Sequence, residues 1–198
     1  MRQIKQILLA VIFLFFILPV NAQVSRPAVS RQLKLFMHKV ALANANFIFP
    51  TGFKEIRPGT DDDFSFDYAI ELPGKDFEIW FEVKSQKANM EHFIWDGNPD
   101  SLYAAIGDGH ARAFAGENNF FPRSIPADVL ARYNANAGKS YFINLQDMEE
   151  TRHYKYALLT ILQKNNNGTI MAVCFTNEKG AEFFKNINKA INCIKFKP

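Results

Sequence analysis

The stretch FSFDYAIELPGKDFEIWFEVKS, residues 64–85, alternates apolar and charged side chains on both sides of a Pro-Gly pair. A period of two marks a strand with one buried face, because successive side chains point to opposite sides of the pleat. Phe66, Tyr68, Ile70 and Leu72 fall on one face of the first strand; Phe77, Ile79, Phe81 and Val83 share one face of the second. Leu72-Pro73-Gly74-Lys75 suits a type II turn, in which Pro presets φ at the second position and Gly supplies the positive φ at the third. The opposite face carries Asp67, Glu71, Glu78 and Glu82, with Trp80 among them, and is expected to be largely wet. An antiparallel hairpin follows, and its apolar face must pack on something.

On the C-terminal side, KSYFINL (139–145) reads as a strand. RHYKYALLTILQK and TIMAVCFTN flank Asn165-Asn166-Asn167-Gly168, where Asn167-Gly168 is the hairpin signal. YALLTIL is apolar on both parities, which predicts a central strand covered on both faces. The last helix places Phe183, Phe184, Ile187, Ala190 and Ile191 on one side, and IKFK tails off it. On the N-terminal side, RQLKLFMHKVALANAN sets Leu33, Phe36, Met37 and Val40 at helical spacing. FIFPTGFKEI is a short strand broken by Pro50 and Gly52. Between the hairpins, Leu102, Ile106, Ala113 and Phe114 are in helical phase, with Asp100 or Ser101 as N-cap. Gly107 and Gly109 each weaken that helix by about 1 kcal/mol relative to Ala. RSIPADVLARYNANAG is a short helix opened by Pro126 and closed by Gly138.

The chain starts with Arg2 and Lys5, continues through 14 uncharged residues from Ile7 to Val20, and reaches Val20-Asn21-Ala22-Gln23. A run that short falls below the roughly 20 residues needed to span hydrocarbon. Small residues at Val20 and Ala22 suit signal-peptide cleavage before Gln23. The expectation is a signal peptide over 1–22, an exported chain in the periplasm or outside the cell, and no stable membrane anchor after cleavage. With Arg2 and Lys5 removed from the 23 basic residues, 21 remain against 20 acidic ones, and no basic stripe for nucleic acid survives. Residues 23–198 contain no repeat, linker or low-complexity tract and read as one α+β domain, helices packed on an antiparallel sheet.

Two cysteines in an exported chain invite a disulfide. Cys174 sits in a strand and Cys193 just beyond a helix that runs back along it. At helical and strand rises the two lie roughly 10 Å apart along that axis, beyond the roughly 7 Å Cα separation that a bridge allows. Two buried free thiols are favoured over a Cys174–Cys193 bond.

The order of elements resembles uncharacterised exported bacterial proteins of the Mog1/PsbP-like group. A helix leads into FIFPTGFKEI; the FDYAIELPGKDFEIWFEVK hairpin and ADVLARYNANAGKSYFINL follow; YKYALLTILQKNNNGTIMAVCFTN and its helix close the chain. The likeness covers most of residues 32–197. It implies an α/β/α sandwich around a central antiparallel sheet, and a binding or assembly module rather than a particular chemistry. No catalytic motif of that group transfers onto these positions.

The residues themselves hold no HExxH, no Cys-His cluster, no GxGxxG, no Walker A and no CxxC, so neither a metal nor a cofactor is expected. Asp61, Asp62, Asp63 and Asp67 lack the alternation, central Gly and terminal Glu of an EF-hand and read as a solvated acidic turn. His38 falls on the polar side of its helix, and His153 reads as a strand-end residue. His92, Trp95, Asp108, His110 and Arg112 bracket the least regular segment and are the candidate ligand-binding set. There Asp108 could orient His110 as a base, although Ser101 and Ser124 lack the flanking glycines of a nucleophile elbow. A non-enzymatic exported module that binds an envelope protein or a small ligand is the first expectation. A hydrolase working at 91–112 and a carbohydrate-binding domain using Trp95 are the alternatives.

Overall fold

The computed structural model describes residues 29–60, 64–92, 97–116, 119–190 and 192–198. Along the chain come α1 (Arg31–Leu42), β1 (Ala45–Phe47), β2 (Lys54–Ile56), β3 (Tyr68–Glu71), β4 (Glu78–Ser85), α2 (Gln86–His92), a 3-10 turn (Pro99–Ser101), α3 (Leu102–Ala115), β5 (Phe120–Ser124), α4 (Ala127–Arg132), β6 (Ala137–Asn144), β7 (Tyr156–Lys164), β8 (Gly168–Thr176), α5 (Ala181–Ala190) and β9 (Ile194–Phe196). Seven strands form one antiparallel sheet in the order β2-β3-β4-β8-β7-β6-β5, and β1 pairs with β9 apart from it. The fold is α+β, with helices on both faces of the large sheet. Among the described residues no helix is long and apolar enough to cross a membrane; the expected signal peptide lies outside them.

The hairpin forms as its sequence predicts. Tyr68 faces Phe81 and Glu71 faces Glu78 across β3 and β4. Gly74 has φ +73°, and the Lys75 N–H donates to the Leu72 carbonyl at 3.0 Å, closing the turn. Tyr68, Ile70, Phe77, Ile79, Phe81 and Val83 share a core with α1, α5 and the β1–β9 pair. Ser30 caps α1 by accepting the Leu33 N–H at 2.9 Å, and Phe36 then stacks on Tyr68 with ring centroids 4.8 Å apart.

The other hairpin face is not wet. Trp80 is fully buried, and Glu78 and Glu82 are only 5% and 4% exposed. The cover is supplied by distant segments: Leu102, Ile106, Ala111 and Phe114 of α3 lie over Trp80, Val173, Leu159 and Tyr141, one from each of β4, β8, β7 and β6. Phe66 also joins this second core, against the assignment of one shared face. It precedes β3, and its ring meets Trp80 at 5.5 Å and Phe114 at 6.1 Å. Asp67 makes the crossover by accepting the Val83 N–H at 2.7 Å and pairing with Lys39.

Three smaller expectations also change. The β7–β8 loop is Asn165-Asn166-Asn167, with Asn166 at φ +61° and Lys164 paired to Gly168, so the turn sits one step before Asn-Gly. Gly168 answers a different need: a Cβ there would lie 2.1 Å from the Lys84 carbonyl oxygen on β4. β7 lies inside the sheet between β8 and β6 with both faces covered, as its apolar run predicts. IKFK does not trail off but supplies β9. Finally, β5 is an edge strand the sequence pattern does not announce. Asn119 and Ile125 bond to β6, so alternation turns Pro122 toward the open edge, where it has no N–H to offer another strand.

Candidate functional site

The structure disperses the 91–112 candidates. His92 is the last residue of α2, Trp95 lies outside the described residues, and Arg112 is exposed on α3. Asp108 and His110 are two positions apart on one helix, hence about 200° apart around its axis, and they serve different strands. Asp108 accepts from the Tyr141 hydroxyl of β6 at 2.7 Å and lies 3.6 Å from the Lys139 ammonium. Burial and that bond push the Tyr141 hydroxyl up. His110 reaches β4 instead: Nε2 is 3.4 Å from Glu82 Oε2, while Nδ1 is 3.0 Å from the Ile106 carbonyl oxygen. A carbonyl only accepts, so Nδ1 carries the proton, and Nε2 faces the Glu82 carboxylate within the fold. Glu82 also holds Lys84. Asp108 therefore does not orient His110, and the expected base is held on both nitrogens. Ser101 donates to the Asn98 carbonyl at 2.8 Å, and Ser124 ends the edge strand β5.

A second polar set gathers where β6 ends and β7 begins. Glu78, buried on β4, accepts from Arg152 at 2.6 Å, Tyr154 at 3.2 Å and the Trp80 indole at 2.8 Å. Arg152 also lies over the Trp80 ring at 5.7 Å and donates to the Arg57 carbonyl. Burial in this knot, with the Glu78 charge beside it, raises the Tyr154 pKa. Arg152 and His153 both take left-handed backbone conformations, with φ of +54° and +58°. With Arg152 fastened before it and Tyr154 after it, His153 is projected outward, its Nδ1 2.6 Å from Asp147 Oδ1. A groove of about 590 Å³ runs beside it, lined by Asn144, Leu145, Asp147, His153, Tyr154, Lys155 and Tyr156. Lys179 sits at its rim, donating to Asn144 Oδ1 at 3.0 Å with its ammonium 4.1 Å over the Tyr156 ring. His153 lies in the turn before β7, separated from the strand's first residue by Tyr154 and Lys155. Its partner Asp147 is six residues away across an irregular loop, a relation that no periodicity reveals.

On the opposite sheet face, a cavity of about 80 Å³ between the sheet and α5 is lined by Cys174, Cys193 and chiefly apolar neighbours. Both cysteines are buried free thiols. The sequence estimate held them apart along a straight helix. In the structure the chain leaves α5 through a tight turn, the Cys193 N–H donating to the Ala190 carbonyl at 2.9 Å, and Cys193 returns to the same cavity as Cys174. Burial pushes the Cys193 thiol up to about 12; burial first and then Cys193 raise that of Cys174. Among the described residues no cluster of three or more His, Cys, Asp or Glu side chains is placed to hold a metal ion.

No protein-family model matches the chain, and no curated protein matches it significantly.

Proposed function

We propose that the chain is an exported, non-enzymatic binding or assembly module of the cell envelope, built on the Mog1/PsbP-like plan, whose partner is an envelope protein or a small ligand. The observation that carries this reading is the state of His110. The best-placed base in the 91–112 region is part-buried between α3 and β4, with one nitrogen on a backbone carbonyl and the other beside a carboxylate that Lys84 also neutralises. A group so engaged holds α3 to β4, and its Nε2 is turned to a carboxylate of the fold rather than toward a substrate. Against the hydrolase alternative, His110 and Asp108 are both engaged by neighbours within the fold. The carbohydrate alternative rests on Trp95, which lies outside the described residues; Trp80 is wholly buried and offers no stacking surface.

The alternating hairpin, the covered sheet and the short basic–apolar leader support the reading together. The test is a panel of ester, glycoside and phosphate substrates offered to the protein and to His110→Ala. Absence of turnover in both agrees with a binding module. Turnover that His110→Ala abolishes while the melting temperature stays unchanged would overturn it.

A further inference from the structure

We infer, on the premise of a binding module, that the groove between Asn144 and Tyr156 is a site for a small ligand bearing a carboxylate or phosphate group, held by His153 and Lys155. Four observations converge there. The first is the backbone. A non-glycine residue in the left-handed region costs about 1–2 kcal/mol, and Arg152 and His153 both occupy it. For Arg152 the cost is offset by the contacts with Glu78 and Trp80. The His153 side chain is 66% exposed, so no burial offsets its share. Strain kept at an exposed polar side chain fits a role toward something outside the fold.

The second is the ring's orientation. Asp147 engages Nδ1 at 2.6 Å and thereby fixes the imidazole plane. Nε2 has no partner among the described residues and is left to serve a ligand, as a donor when the ring is protonated. The third is charge. Lys155 is exposed, its ammonium has no partner among the described residues, and its backbone is pinned where its N–H donates to Asn177 Oδ1 at 3.0 Å. The Asp147 carboxylate faces the imidazole, and Glu149 and Glu150 are not among the lining residues. The groove's unmatched charge is therefore positive, at one end of an aromatic wall made by Tyr156, whose ring Lys179 also approaches. The fourth is size: about 590 Å³ lies within the range of roughly 300–1,000 Å³ usual for small-molecule sites.

The experiment is a titration of the isotope-labelled protein, followed by NMR at the histidine rings and backbone amides, with inorganic phosphate and separately with acetate. Saturable shifts are expected at the His153 ring and at residues 153–156. His38, exposed on α1, is the internal control and is expected to stay still. Lys155→Ala and His153→Asn are each expected to weaken binding at least tenfold; Asn tolerates the positive φ and removes the ring. Saturation by phosphate alone supports a phosphate-bearing ligand, by acetate alone a carboxylate-bearing one, and by both a site that reads only the shared charge. Shifts that do not saturate, that appear equally at His38, or that persist in both variants overturn the site. Failure of the module reading itself is scored separately, as turnover on the substrate panel.

Discussion

Replacing Gly107 and Gly109 of α3 with Ala, one at a time, separates helix propensity from packing within a single turn. Both substitutions remove backbone freedom from the unfolded chain and favour the helix by about 1 kcal/mol. At Gly109 the new methyl group meets nothing within 4 Å, so the whole gain remains. At Gly107 it would lie 2.7 Å from the Tyr141 hydroxyl oxygen, 2.8 Å from that ring's Cε2 and 3.0 Å from Ile161 Cγ2. Both neighbours are fully buried, and Tyr141 is bonded to Asp108. Overpacking of this kind costs about 1–3 kcal/mol, and a displaced Tyr141 forfeits about 1 kcal/mol of hydrogen bond. Gly107→Ala is then expected to be destabilised by about 1–3 kcal/mol net, and Gly109→Ala stabilised by about 0.5–1 kcal/mol. Urea unfolding at constant m-value reads both, and each kcal/mol should move the melting temperature by about 2–4 °C in a chain of this size. Equal stability of the two variants would refute the close seating of α3 on Tyr141, and with it the way this helix positions Asp108 and His110.

Three further outcomes follow from the buried polar groups. His110→Ala leaves Glu82 with Lys84 alone under α3 and should lower stability by about 2–3 kcal/mol, toward the low end for breaking a buried pair; an unchanged urea midpoint would contradict the pairing. Arg152→Ala should cost about 3 kcal/mol, because Glu78 then keeps only neutral donors, and Trp80 fluorescence should report the change; a silent variant would mean that Arg152 does not hold the 147–155 loop. For the thiols, the folded pKa of Cys193 is raised from 9.0 to about 12. Below pH 9 both folded and unfolded chains keep that proton and stability is flat; from 9 to 12 only the unfolded chain ionises, and stability falls by about 1.4 kcal/mol per pH unit for each buried thiol. Buried Tyr68, Tyr141 and Tyr154, raised from 10.0, steepen the loss above pH 10. Cys193→Ala should show a shallower alkaline fall, and native thiols should resist a disulfide reagent at pH 8 until the chain is unfolded; immediate reaction of both would contradict their burial.

The hairpin was legible because its information is local: alternation over a few residues and a turn that only Pro-Gly chemistry suits. Most helices were legible for the same reason, through apolar spacing; α2 was not, and Gly138, expected to close α4, lies in β6. The wet face was misread because β4 alone cannot show what covers it. Trp80 among glutamates looks like an exposed strand face until α3 and Arg152 are brought over it, and then Glu78 and Glu82 must find partners rather than water. The 91–112 site was misread in the same way. Asp108 and His110 are only two positions apart in sequence, yet the helical rotation between them sends one to β6 and the other to β4.

The sequence by itself determined the α+β class, the antiparallel hairpins and the positions of most helices, because these depend on contacts between near neighbours. Tertiary structure alone decided which carboxylates are buried, that His110 is a structural pair with Glu82, and that His153 meets Asp147 beside a groove. Those relations join residues brought together by chain reversals and by a loop held through Arg152 on a distant strand. Their energies depend on burial and distance in space, which no spacing along the chain encodes.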